Sequence, residues 1–310
     1  MKHTWRVTLI LAGLFLACQL LGLALLYNSF SIMVDEFGNP VIANQETVLG
    51  PPPAIQGPEM LVFFLSSIAL GTVFILLVIR SRRFGIWKGF FFFTAFMTIW
   101  VSLSVLIQPL IALAIAAVAA WLKVRAKSVL IHNLTEPFLY SGIALILVPA
   151  LSVPWALALL AIISVYDYWA VFRSKHMVTM AKGLQKSMVF AGLSIPYSKS
   201  GKVEASYGKG RKPRKGEAYE KEEISTAGLG GGDITFPLLF TGAVLQSLAL
   251  SGIPKASAFL LTLILPAVLT VTLVIMLMKA SKGKFYPAMP VLSAGCLAGY
   301  LLILAASWMI

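Results

Sequence analysis

Charge is scarce in this chain, and acid is scarcer than base: 12% of the residues are charged, with 12 Asp and Glu against 25 Lys and Arg. So little charge beside 59% apolar residues excludes an ordinary soluble domain and leaves an all-α polytopic membrane protein. The net charge of +13 does not make it a nucleic-acid binder. Its basic residues cluster in a few connecting segments, the pattern of topology signals and of contact with anionic lipid. Cysteine is nearly absent. Cys18 and Cys296 both fall in apolar runs, so they read as small buried hydrophobes, with no disulfide or thiolate metal site expected. No clear small-residue cleavage site follows the first apolar run, Val7 to Leu26, which is longer than the core of a signal peptide and reads as a permanent helix. No internal repeat of transporter type is evident.

What is present is a series of runs long enough to cross hydrocarbon, which takes about 20 helical residues each. Nine are expected, near residues 7–30, 60–79, 89–107, 109–123, 128–148, 153–172, 227–249, 254–278 and 286–309. The third and fourth are separated only by Gln108-Pro109, and charge sets their parity: Lys88 before them and Lys123, Arg125 and Lys127 after them share a side only if the chain crosses twice. On this map every Lys and Arg but Lys255 lies on one face. The N-terminus is then expected in the cytoplasm and Ile310 outside the cell membrane. The chain divides into helices 1–6 (residues 1–172), a hydrophilic cytoplasmic loop (173–225) and helices 7–9 (226–310). Pro51-Pro52-Pro53 in the first external loop suggests a stiff extended piece, and Pro266 a kink.

The stretch Thr226 to Gln246 is the most demanding. It is apolar and of spanning length, yet it carries Asp233 directly after Gly230, Gly231 and Gly232. A carboxylate in the bilayer costs at least ~2.5 to 3.5 kcal/mol on insertion scales, so it needs a partner or a role. A second acid, Asp167, lies near the cytoplasmic end of the sixth span. Read as helices, the two spans put Asp167 roughly 9 Å and Asp233 roughly 12 Å in from the same face, level with each other if the helices are antiparallel neighbours. Two such carboxyls share a proton, one acting as acid and the other as base. That is the chemistry of aspartic proteolysis, and it requires no metal or cofactor. Paired intramembrane acids and glycine-broken helices also mark proton- or cation-coupled transporters, and the residues alone leave both readings open.

His132 and Glu136 stand one turn apart in the fifth span, the spacing of a two-ligand metal face, but two groups do not complete a site, and interfacial polar residues or a local ion pair are the better reading. Met188 to Tyr197, inside the long loop, is apolar enough to lie on the membrane or against the protein.

At these residues the sequence resembles the GxGD intramembrane aspartyl proteases, in particular the presenilin family and its archaeal relatives. The resemblance rests on Tyr166-Asp167 within VYDYWAVFRSKHM, on Gly230-Gly231-Gly232-Asp233, and on Pro287-Ala288-Met289-Pro290. It implies a presenilin-like nine-helix fold, Asp167 and Asp233 as the catalytic pair, and Gly230 and Gly232 as glycines that shape the site. It also implies a Pro287–Pro290 segment beside the acids that helps position substrate, with Met289 standing where the family has Leu. Tyr166 is shared between the site and an interfacial aromatic belt with Tyr168 and Trp169. The implied substrates are single-span membrane proteins, with no obligate partner subunit expected. Signal peptide peptidases carry the same motifs with inverted topology, and prepilin peptidases share GxGD with the first acid in a different context.

Overall fold

The structure, a computed structural model, describes residues 5–53, 55, 57–81, 83–126, 128–173, 191–197, 225–279 and 286–308. The chain is mostly helical. In order the elements are α1 (Trp5–Asn28), β1 (Phe30–Val34), β2 (Pro40–Asn44), α2 (Pro58–Ser81), α3 (Phe84–Ser104), α4 (Pro109–Arg125), α5 (Val129–Leu147), α6 (Val153–Phe172), β3 (Gly192–Tyr197), β4 (Ser225–Gly230), α7 (Gly231–Leu250), α8 (Lys255–Lys279) and α9 (Met289–Ser307). Among the described residues nine helices stand where nine spans are expected, and eight of them are long and apolar enough to cross a membrane. The other, α4, has 17 residues, a rise of about 25 Å against a hydrocarbon core of about 30 Å.

The helices follow from the solvent. With no water to accept them, the backbone groups of an apolar run must bond within the run. Proline sets several starts, at the first turns of α4, α6 and α9, where a missing N–H leaves no bond unmade. In α8 the helix breaks at Leu263, one turn before Pro266, whose ring displaces the preceding turn.

The core is built around α7, which packs against α1, α5, α6 and α9 and is buried over 72% of its span. At the other extreme α2 is buried over 11% and touches only α3 and α6 among the helices it packs against closely. Small residues set the tightest crossings. A Cβ on Gly142 of α5 would stand 1.9 Å from the carbonyl oxygen of Thr98 on α3, so only glycine lets these two backbones meet.

The loop after α1 holds structure that its polyproline signature does not announce. β1 and β2 form an antiparallel hairpin from Phe30↔Asn44 to Val34↔Pro40. Its turn is closed by Asp35, whose Oδ1 accepts the N–H of Asn39 at 2.7 Å and of Phe37 at 2.9 Å. Those donors, Asn39 first, hold the Asp35 carboxyl below the usual carboxylate range. Beside the hairpin, Lys255 donates to the Phe30 carbonyl, with its ammonium 4.4 Å from the Tyr27 ring and 4.5 Å from the Phe30 ring. The one basic residue that the charge map leaves on the opposite face is thus caged by a carbonyl and two aromatic faces. Cys18 and Cys296 are buried free thiols, as their apolar surroundings imply.

Replacing Gly142 by alanine should destabilise the fold by about 1–3 kcal/mol through overpacking, read as a lower melting temperature in detergent, while alanine at Gly13, inside α1 and with nothing within 4 Å, should cost nothing and gain up to about 1 kcal/mol of helix stability.

Candidate active site

The stretch expected to enter the membrane as helix does so first as strand. β4 runs from Ser225 to Gly230, and α7 begins at Gly231. The depth estimate for Asp233, made at helical rise, is therefore corrected. The reason is pairing: β4 has a partner in β3, in antiparallel register from Gly192↔Gly230 to Tyr197↔Ser225, and consecutive glycines have little helical preference to oppose it. The apolar patch flagged in the long loop supplies that partner. Its residues 191–197 lie against the protein, with Leu193 and Ile195 fully buried, while 188–190 fall outside the described residues.

The ladder delivers Asp233 to a defined place. Past the last register pair, the Gly231 N–H donates to the Ala191 carbonyl at 3.2 Å, so the first orphan donor of α7 is satisfied by the sheet. Gly230 is the N-cap, and Asp233, in the first turn of α7, takes the backbone N–H of Gly230 in the manner of a capping box. The glycines are not equivalent. A Cβ on Gly230 would stand 3.1 Å from Asp233 Oδ2, one on Gly231 would stand 3.1 Å from the Tyr140 hydroxyl, and one on Gly232 would meet only the edge of the Phe236 ring at 3.4 Å.

Asp167 is buried on α6, 4% exposed. Its Oδ2 accepts the Met289 N–H at 3.1 Å, and the Ala288 N–H also bonds the carboxyl. These are orphan donors at the start of α9, framed by Pro287 and Pro290, which have none to offer. Each acid thus sits at a helix N-terminus, Asp233 at its own and Asp167 at that of α9. α6 and α7 pack together. A second tie, from the Ser164 hydroxyl to the Ser293 hydroxyl at 2.8 Å, joins α6 to α9 one turn from Asp167. Tyr166 turns away from this contact toward α2, its hydroxyl 3.5 Å from Thr72 Oγ1, whereas Tyr168 and Trp169 face outward.

Glu136 forms a buried ion pair with Lys123, and His132 lies beside it. Lys123 Nζ of α4 donates to Glu136 Oε1 at 2.6 Å, to Thr135 Oγ1 at 2.9 Å and to the His132 carbonyl at 3.2 Å, and His132 Nε2 lies 3.4 Å from the same Glu136 oxygen. Removing one member of so buried a pair typically costs ~3–5 kcal/mol. Lys123 therefore does more than mark a membrane face. Sequence reasoning also missed Gln19, whose Nε2 donates to the Ile234 carbonyl at 2.9 Å and holds α1 against the first turn of α7. A lone glutamine in an apolar run was the available signal.

Two solved structures of a presenilin family intramembrane aspartate protease, in space groups C222 and P2, are similar to this one. They superpose with TM-scores of 0.58 and 0.59 at 17% and 19% identity, covering 96% of this chain in both cases and 99% and 96% of theirs. The fold is therefore presenilin-like. A sequence model described as "Signal-peptide peptidase, presenilin aspartyl protease" matches residues 12–309, and the chain belongs to that family of intramembrane aspartyl proteases. No curated protein matches. Membership removes the transporter reading that the acids alone left open.

Gly231→Ala should depress both stability and activity by forcing the Tyr140 hydroxyl aside, while Gly232→Ala should retain most activity and gain up to about 1 kcal/mol of helix stability. Thermal melts and cleavage assays of the two variants side by side check this.

Proposed function

We propose that Asp167 and Asp233 are the catalytic dyad of an endopeptidase that cuts peptide bonds within transmembrane helices. The observation that carries this reading is convergence: α9 holds one buried carboxyl by its N-terminal N–H groups, and the β3–β4 sheet ends on the other. One carboxyl, ionised, takes a proton from water as the resulting hydroxide bonds the scissile carbonyl carbon. The other, protonated, donates to the carbonyl oxygen. The tetrahedral gem-diol collapses when the C–N bond breaks: the amine leaves with the proton that had come from water, a gem-diol hydroxyl returns its proton to the other carboxylate as the product carboxyl forms, and the acids again share one proton. The Pro287–Pro290 segment acts here through backbone, keeping Asp167 oriented while its prolines end the competition for donors.

A helical substrate hides its peptide bonds in its own hydrogen bonds, so it must be drawn out before it is cut. The free edge of β4 supports the extended form. Ser194 turns both its backbone groups away from β4, so in an antiparallel ladder its partner Gly228 turns its own away from β3. Among the described residues nothing pairs with the outward groups of Thr226 and Gly228, which are exposed. An unwound substrate strand bonded there runs toward Asp233. The charge asymmetry supports a cytoplasmic N-terminus, hence substrates with their N-termini outside, cut nearer the cytoplasmic leaflet. The region 173–225 then acts as a cytoplasmic loop that lends β3 to the site, and the enzyme works on single-span proteins without obligate subunits.

Asp167→Ala and Asp233→Ala should each abolish cleavage of a single-span substrate in detergent, and a hydroxyl-bearing transition-state isostere should block the wild type. Ion-dependent flux untouched by the isostere would overturn the reading. Gly228→Pro removes one outward N–H and no β3–β4 bond, and should lower kcat/KM about tenfold without changing the melting temperature. In proteoliposomes, substrates inserted with the N-terminus on the loop-free side of the enzyme should be cut in preference to the reverse, as product masses will report.

A further inference from the structure

The outer edge of β3 is closed by side chains, and one of them makes the bonds of a strand. Asn133 of α5 donates from Nδ2 to the Ser194 carbonyl at 3.0 Å and accepts the Ser194 N–H on Oδ1 at 3.2 Å. That is the two-way exchange a neighbouring strand makes with a residue facing it. One residue earlier on α5, His132 Nε2 lies 2.8 Å from the Gly192 carbonyl, the preceding outward acceptor of β3. A carbonyl only accepts, so the proton of this imidazole is on Nε2. The following outward position is Pro196, which has no N–H to leave unpaired. Along the edge from Gly192 to Pro196, the Gly192 carbonyl and both groups of Ser194 are thus taken by two consecutive side chains, and Pro196 has no N–H to offer. α5 is itself held at this point, because Lys123 bonds the His132 carbonyl directly before Asn133.

We infer that Asn133 is a positioning residue for the cleavage reaction: by standing in for a third strand on β3 it fixes the sheet that carries Asp233 and leaves β4 as the edge on which substrate registers. The inference rests on the proposed pairing of substrate with β4. A two-stranded sheet has two edges, and an extended peptide can add to either. With β3 open, a substrate could bond the wrong strand, and with β3 loose, the ladder Gly192↔Gly230 would no longer hold β4 in one register above the acids. Asn133 acts against both, and it does so through Ser194 and the sheet, without touching the reacting atoms.

The test compares Asn133→Leu, which removes both bonds at similar volume, with Asn133→Asp, which keeps an acceptor for the Ser194 N–H. Wild type and variants, purified in detergent, are given one single-span substrate, and kcat, KM, melting temperature and product masses are measured. Both variants are expected to fold, with kcat lowered about tenfold, the scale of a lost hydrogen-bonded pair, KM little changed, and cuts spread over bonds flanking the wild-type site. Spread cuts support the assignment whether or not the rate falls. A slower enzyme that keeps the wild-type product masses would mean that Asn133 only stabilises the fold, and that result overturns it, as does failure of both variants to fold. If wild type cleaves, Asp233→Ala does not, and the Asn133 variants cut at one bond, only this inference is lost. If cleavage survives Asp233→Ala, the dyad itself is wrong.

Discussion

Every backbone donor and acceptor placed beyond the reach of water must find a partner inside the protein, and the architecture follows from where this chain departs from the helix that would satisfy them automatically. The departure is the β3–β4 sheet at the membrane-entering end of α7. Its inner bonds are made strand to strand, its last donor caps onto Ala191, and its far edge is closed by His132 and Asn133. Lys123, Glu136 and Thr135 then hold α4 and α5 in the arrangement that makes this closure possible. A polar cluster that looks anomalous in an apolar bundle is thereby explained as support for a short extended segment.

Glycine and proline divide the labour around the acids. Gly230 and Gly231 are small because the Asp233 carboxylate and the Tyr140 hydroxyl occupy the space a Cβ would need. Pro287 and Pro290 bracket the two N–H groups that reach Asp167. In both cases a residue defined by what it lacks lets a backbone group meet a carboxyl, and the two acids end up at the positive ends of different helices.

Much of this was legible in the sequence. Apolar runs announce helices because a spanning segment has few alternatives, and Asp167 and Asp233 stand out because an acid in such a run is costly. The strands do not: Thr226 to Gln246 reads as one continuous apolar span, and its extended beginning depends on a partner some thirty residues earlier that no local pattern reveals. The β1–β2 hairpin was hidden by the prolines that follow it. His132 and Glu136 are legible as interfacial polar residues or a local ion pair, but Lys123, the partner of Glu136, reads in the sequence as a membrane-face charge, and Asn133 carries no signal because its partners are backbone atoms of a distant strand.

The light attachment of α2 has a consequence of a different kind. A helix buried over only 11% of its span has little protein packing to hold it, and α2 meets α6 at the Thr72–Tyr166 contact, one residue from Asp167. The tyrosine next to Asp167 in sequence thus keeps one of its contacts on a lightly anchored helix at the rim of the bundle.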